Sequence, residues 1–279
     1  MTVPLGTLPG IPLLARGHAT GDPDVSRLLG ERASVDEIAA RAREVLRVFR
    51  PRAGADAPLE ALAADERAAV LTGQQVGLLT GPLLTTVKAL AAVKVAEDVT
   101  AAGTPLAPVF WCASEDHDLV EVTRVPLPGP DGPVEAGPEA EPLARNRRPV
   151  GGLPVEVDVA AILERARAEA GSLADEESLE ALRAAHAGAT YRSAFVASLS
   201  WLLGEPALLF ADAARAEEKP VLVPLAVRLV REREAVRRLL EARAAELAAA
   251  GHALQVVSEP GALPLFAIVD GERLLLRER

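Results

Sequence analysis

Ala68 to Asp118 reads AAVLTGQQVGLLTGPLLTTVKALAAVKVAEDVTAAGTPLAPVFWCASEDHD, and this stretch decides the fold. Ala68 to Thr72 is a short apolar run that stops at glycine, the pattern of a buried strand. Gly73 to Gly81 is a turn region with glycine at 73, 77 and 81. Pro82 suits the first turn of a helix, which runs to about Ala101 and ends before Gly103. Residues 106–113, LAPVFWCA, form a second buried strand, and the charged cluster Ser114 to Asp118 follows directly. Strand, glycine-rich turn, helix and strand make a βαβ unit whose crossover length suits parallel strands. The fold class is therefore α/β.

The flanks are read outward from this unit. Residues 1–30 are rich in proline and glycine and expected to be irregular. Ser34 and Glu37 form a capping box for a helix carrying Ile38, Val45, Leu46 and Phe49, ended by Pro51. A short helix is expected over Leu59 to Ala64. Downstream, residues 128–152 read as a long loop and Val155 to Val159 as a strand. Helices are expected at 159–170, 175–187 and 190–203, and a strand at Ala207 to Phe210. One long helix over 221–250 is capped by Gly251. Strands at 253–257 and 263–269 follow, and Asp270-Gly271 signals a hairpin before Leu274 to Leu276. The chain thus divides into an N-terminal helical region (1–67), a βαβ core (68–127), an insert and helical region (128–218), and a long helix with β segments returning to the core (219–279).

Composition limits what the chain can do. Of 279 residues, 49% are hydrophobic and 25% charged, which suffices for a sizeable core. The net charge of -10 argues against nucleic acid or an anionic membrane as main partner. Cys112 is the only cysteine, so no intrachain disulfide forms and a cytoplasmic location is expected. The N-terminal stretch lacks a basic region and is broken by Pro4, Pro9 and Pro12, unlike a signal peptide. No apolar run approaches the roughly 20 residues of a membrane span. Lysine occurs only at 88, 94 and 219, and glutamine only at 74, 75 and 255, so both types concentrate near the turn.

Two constellations can carry chemistry. In Thr72 to Lys88, the glycines Gly73, Gly77 and Gly81 allow close backbone approach, and a helix start offers unpaired N–H groups to an anion. Thr85 and Lys88 share the helix face of Gly81, and Gln74 and Gln75 add amides. These seven are the candidate substrate-binding residues. The plainer reading is tight packing at the glycines and a surface lysine. The second constellation is Glu115, Asp116, His117 and Asp118, at a carboxyl strand end where open parallel sheets bind ligands. His117 is a candidate general base, and an Asp/His pair can also take a divalent metal, although no metal ligand is assigned. The plainer reading is a solvated loop whose acids cap the next helix. Lys94 is read as a snorkelling residue in the stripe of Leu83, Val87, Leu90 and Ala91, or else as a buried lysine paired with a carboxylate. Cys112 is read as packing, and His18, His186 and His252 as isolated.

Taken together, AVLTGQQVGLLTGPLLTTVKALAAVKVA (69–96) and APVFWCASEDHDLVEVTRV (107–125) resemble the bacillithiol biosynthesis cysteine-adding enzymes, the cysteine ligase BshC family. RPVGGLPV (148–155) and GHALQVVSEPGALPLFAIVDGER (251–273) agree more weakly, with Gln255, Leu265 and Phe266 at family-like positions. The resemblance implies a Rossmann-like parallel-sheet core with helical insertions and, in family members, a coiled coil. It implies a ligase that forms an amide bond between cysteine and glucosaminyl-malate to give bacillithiol, a low-molecular-weight thiol. Gln74, Gln75 and Lys88 would hold anionic or amide groups. Glu115, Asp116, His117 and Asp118 would orient the amine and move protons. Amide formation needs an activated carboxylate, which makes ATP a candidate cosubstrate. Family chains run well beyond Arg279, so the expectation is an incomplete core, poor activity alone, and a missing C-terminal half as partner. The alternatives are a non-catalytic small-molecule-binding remnant of the fold and a nucleotidyltransferase-like enzyme.

Overall fold

The computed structural model describes residues 12–28, 49–50, 68–127, 129, 131–170, 175–204, 208–212, 214, 219–254, 256 and 259–278. The elements, in chain order, begin with α1 (Leu13–Thr20), α2 (Pro23–Leu28), β1 (Phe49–Arg50) and β2 (Ala68–Gln74). A 3-10 turn at Leu78–Thr80 leads to α3 (Leu83–Ala101), β3 (Leu106–Cys112) and α4 (Leu119–Thr123). Next come β4 (Val125–Leu127), β5 (Val134–Ala136), α5 (Ala140–Leu143) and a 3-10 turn at Val150–Gly152. Three helices follow: α6 (Val159–Ala170), α7 (Glu176–His186) and α8 (Tyr191–Leu203). The chain continues through β6 (Leu209–Ala211), α9 (Lys219–Arg231), α10 (Arg233–Ala249), β7 (Ala262–Val269) and β8 (Glu272–Arg277).

The expected βαβ unit is present. β2 and β3 are parallel, with Ala68 opposite Leu106 and Gln74 opposite Cys112. β6 adds to the other side of β3 in parallel, and β1 pairs antiparallel with β6, giving the order β1-β6-β3-β2. β3 is the central strand and its residues 107–110 are all buried, as its continuous apolar run requires of a strand covered on both faces. One sheet face carries Phe110, Cys112 and Phe210 into a core with Phe195, Leu199 and Leu163. Tilted rings pack within it, Phe110 lying 5.7 Å from Phe195 and 6.1 Å from Phe210. Ala107, Val109, Leu209 and Ala211 form a smaller cluster from the alternate positions. α3 packs on β2 and β3 through Thr85, Ala89, Ala92 and Ala96, small residues that let a helix lie close to the sheet.

Contacts divide the chain into two compact units: Met1–Ile38, Pro224–Phe266 and Leu275–Arg279 in one, Ala39–Val223 and Ala267–Leu274 in the other. The sheet and both candidate constellations belong to the second. In the first, α10 carries exposed pairs of Arg237 with Glu234 and Glu241, and of Arg243 with Glu246. That is the solvated helix face its alternating charge predicts.

Several expectations are corrected. The N-terminal stretch is not irregular throughout: α1 ends at Gly21 in the left-handed conformation (φ 71°), and Pro23 opens α2. Phe49 lies in a strand, not a helix. The rest of the capped helix, and the helix at 59–64, fall outside the described residues. β2 is not buried on both faces, since it is the edge of the described sheet and Leu71 is 60% exposed. The loop of 128–152 contains half of the β4–β5 hairpin, α5 and a 3-10 turn. Residues 155–158 form no strand because the segment pairs only briefly with 189–191, by a Pro154–Thr190 bridge and two flanking hydrogen bonds. The long helix is two helices parted at Glu232. Ala253, Leu254 and Val256 are not in a strand. The apolar stripe of α3 faces outward, with Leu83 79% exposed, and Lys94 is an exposed partner of Asp98 at 2.6 Å.

Candidate active site

β2 and β3 end side by side, so the residues after them emerge together. The backbone links continue past the strands: Ala113 N donates to Gln74 O at 3.0 Å. Gly73 fits here because a Cβ would stand 2.7 Å from the Trp111 carbonyl oxygen. Gln75 Nε2 donates to Asp116 Oδ2 at 2.6 Å, which joins the diglutamine turn to the acidic segment. Lys88 reaches back from α3, as helical side chains lean, and donates to Gln74 Oε1 at 2.9 Å and Gly73 O at 3.4 Å. Six sequence-identified residues, Gly73, Gln74, Gln75, Lys88, Asp116 and His117, therefore share one locus.

Asp116 is the hub. Its Oδ1 accepts the His117 backbone N–H at 2.7 Å and lies 3.3 Å from His117 Nδ1. Its carbonyl accepts Val150 N at 2.7 Å. Burial alone would raise the Asp116 carboxyl, but hydrogen bonds from Gln75 and His117 N and the charge of Arg273 hold it below its ordinary value. Glu115 behaves oppositely: burial pushes it up, with Asp212 and Asp116 adding repulsion against the pull of Arg273. Glu115 Oε2 is buried without a hydrogen-bond partner among the described residues. Adjacent carboxyl groups held apart in acidity in this way can divide acid and base roles. The His117 side chain is 40% exposed, so a substrate can meet it.

Other candidates lie differently. Asp118 caps α4, its side chain accepting Glu121 N at 3.0 Å; its position is the capping one that the plainer reading foresaw. Thr85 is fully buried beneath the turn, its Oγ1 3.3 Å from where a Gly81 Cβ would lie, so it does not line an open wall with Lys88. Gly77 and Gly81 pack on each other, a Gly77 Cβ falling 2.9 Å from Gly81 Cα. Their close approach is to backbone. Leu79, Thr80 and Gly81 all take positive φ. His186, read as isolated, holds this turn by accepting Leu79 N at 3.3 Å.

The structure adds residues the sequence reading missed. Ser114 Oγ donates to Asp212 Oδ1 at 2.5 Å, and Arg192 forms an ion pair with Asp212. Asp212 follows β6 directly, so the carboxyl-end rule that picked out Asp116 also points to it. Asn146 Nδ2 donates to His117 O at 2.9 Å. Arg273 places Nη1 3.5 Å from His117 Nδ1, and its residue closes the quoted DGER stretch. Among the described residues, no group of three or more His, Cys, Asp or Glu is arranged to hold a metal ion, and no helix is long and apolar enough to cross a membrane.

Comparison with known proteins gives the family of the chain. The family model for bacillithiol biosynthesis BshC, N-terminal Rossmann-like domain, matches residues 29–279. The chain belongs to the BshC family. Its α/β sheet is the Rossmann-like domain of that family. A relative from Koribacter versatilis, provisionally named cysteine ligase BshC, is 36% identical over 86% of this chain and 45% of its own length. Relatives with the same provisional name from Solibacter usitatus (30% identical; 88% of this chain, 46% of theirs) and Thermus thermophilus (34%; 85% and 46%) agree. The chain thus spans less than half the length of these BshC relatives.

Proposed function

We propose that this chain is the substrate-binding Rossmann-like domain of a bacillithiol-forming cysteine ligase, joining the cysteine carboxylate to the amine of glucosaminyl-malate. The observation that carries this reading is the 2.6 Å link between Gln75 and Asp116, which unites the two family motifs at one sheet end. Lys88, with Gln74 and Gln75, supplies a cation and amides for a substrate carboxylate. The ionised Asp116 attracts an incoming ammonium group. His117 takes the proton that the amine must lose as the C–N bond forms. Carboxylate activation is assigned to ATP, which supplies a leaving group for the carbonyl. α3 starts with no side-chain cap and no acid in its first turn, so its positive end suits a phosphate.

The test incubates the chain with cysteine, glucosaminyl-malate and ATP, with and without the C-terminal remainder of a BshC relative, and follows bacillithiol by mass spectrometry. Product is expected in the complemented mixture. Product in neither mixture removes the ligase reading for this chain. In calorimetric titration with glucosaminyl-malate, Lys88→Ala and His117→Ala are expected to weaken binding at least about tenfold, the scale of one charge-assisted hydrogen bond, while their urea midpoints stay near wild type. Unchanged affinity in both variants returns these residues to packing and surface roles.

A further inference from the structure

We propose that Arg273 is a positioning residue that fixes His117 in the tautomer with its proton on Nε2. As a role in the reaction this rests on the ligase reading above; as a statement about the imidazole it does not. The guanidinium has five N–H donors and no acceptor, and Nη1 stands 3.5 Å from His117 Nδ1. A lone pair on Nδ1 is the complement of that donor. Asp116 Oδ1 lies at a similar 3.3 Å from Nδ1 and would favour a proton there. That oxygen already accepts the shorter 2.7 Å bond from His117 N, and the other carboxylate oxygen accepts Gln75 at 2.6 Å. With that carboxylate engaged by two shorter bonds, Nδ1 is assigned to the Arg273 donor and the hydrogen to Nε2.

The placement is built from backbone outward. Asp270 and Gly271 take positive φ of 51° and 85° and close the hairpin. Arg273 N then donates to Arg147 O at 2.8 Å. Next to that anchor, Asn146 Nδ2 donates both to His117 O at 2.9 Å and to Arg148 O at 2.8 Å. One short segment, 146–148, thus holds the main chain of both residues, and their side chains meet across 156 positions of sequence. In the resting tautomer His117 offers a donor to a substrate oxygen. A substrate carboxylate that draws the Arg273 guanidinium away lets the proton move to Nδ1, facing Asp116, and leaves Nε2 able to accept the amine proton.

The experiment records the imidazole nitrogens of the 15N-labelled full chain without substrate, with His117 assigned by the signals lost in His117→Gln. For the neutral ring, the proton is expected on Nε2 in the wild type. It is expected to move to Nδ1 in Arg273→Met, with Arg273→Lys, which keeps a donor, nearer to wild type. A wild-type ring protonated on Nδ1 overturns the proposal, and so does a pattern unchanged in Arg273→Met. The wild-type spectrum decides even if the methionine variant does not fold. Because no substrate is present, absence of bacillithiol in the activity assay leaves this result standing.

Discussion

Ser114 and Asp212, 98 residues apart in sequence, share a 2.5 Å hydrogen bond at neighbouring carboxyl ends of β3 and β6. Arg192 completes the group through its ion pair with Asp212. Asp212 is 5% exposed, and a carboxylate so buried needs paired and hydrogen-bonded partners such as these. It also accepts Ala214 N at 2.9 Å. Removing one member of a buried pair strands the other. Asp212→Ala is therefore expected to lower the unfolding free energy by about 3 kcal/mol, read from urea denaturation. A loss under about 0.5 kcal/mol, the range of an ordinary surface substitution, would show that the group carries no such weight.

The carboxyl groups of Glu115 and Asp116 are shifted in opposite directions from their ordinary values, and that has a measurable sign. The folded-state pKa of Glu115 lies above its ordinary 4.5 because burial disfavours its charge. Below 4.5 the carboxyl is protonated in both states and costs nothing. As pH rises past that point the unfolded chain ionises first, so stability is lost until the folded pKa is passed. Glu115→Gln does not titrate. Its stability relative to wild type is expected to climb as pH rises from the acid side, then level off. Asp116→Asn is expected to show the reverse trend, because the folded Asp116 carboxyl is held low and its contribution is lost as pH falls through that value. Parallel pH profiles for the two variants would contradict these environments.

What could be read from sequence follows from what short-range patterns encode. β2, α3 and β3 are bounded by glycine, proline and apolar runs within one stretch, and the parallel pairing follows from their order. The meeting of Gln75 with Asp116 follows in turn, since both leave adjacent strand ends. Arg273 was not legible as a site residue, for its approach depends on a hairpin tip far along the chain; Asp212 carried the strand-end signal, but its meeting with Ser114 depends on β6 pairing with β3. Thr85 was misplaced because helix periodicity shows which residues share a face but not whether that face meets solvent or sheet. The outward stripe of Leu83, Val87 and Leu90 was uninformative for the same reason.

Gly151 is a packing constraint on the site itself. A Cβ there would lie 2.3 Å from Ser114 Cβ and 3.0 Å from Ser114 O, while Gly151 N donates to that same carbonyl at 2.9 Å. Ser114 is fully buried and cannot move aside without disturbing Asp212. Gly151→Ala is expected to destabilise the fold by about 1–3 kcal/mol, the cost of overpacking, and to weaken substrate binding by shifting Glu115. Wild-type stability by urea denaturation would mean that the 150–152 turn yields freely.

His186 tests whether the turn before α3 depends on a neutral imidazole. The ring is 4% exposed. Its Nδ1 lies 2.7 Å from Leu182 O and its Nε2 3.3 Å from Leu79 N. A carbonyl requires a donor and an N–H requires an acceptor, so the proton sits on Nδ1 and Nε2 carries a lone pair. Burial lowers the pKa of His186 below 6.5, against a smaller opposing pull from Leu182. As pH falls through 6.5 the unfolded chain takes up its proton first, and stability is lost from there down to the folded-state value. Protonation of Nε2 would also remove the acceptor for Leu79, whose φ of 51° holds the turn in a costly conformation. His186→Ala is expected to cost about 1–3 kcal/mol at neutral pH and to remove this part of the acid sensitivity. A variant whose stability still falls with wild-type steepness across the same pH interval would assign the proton uptake to another group.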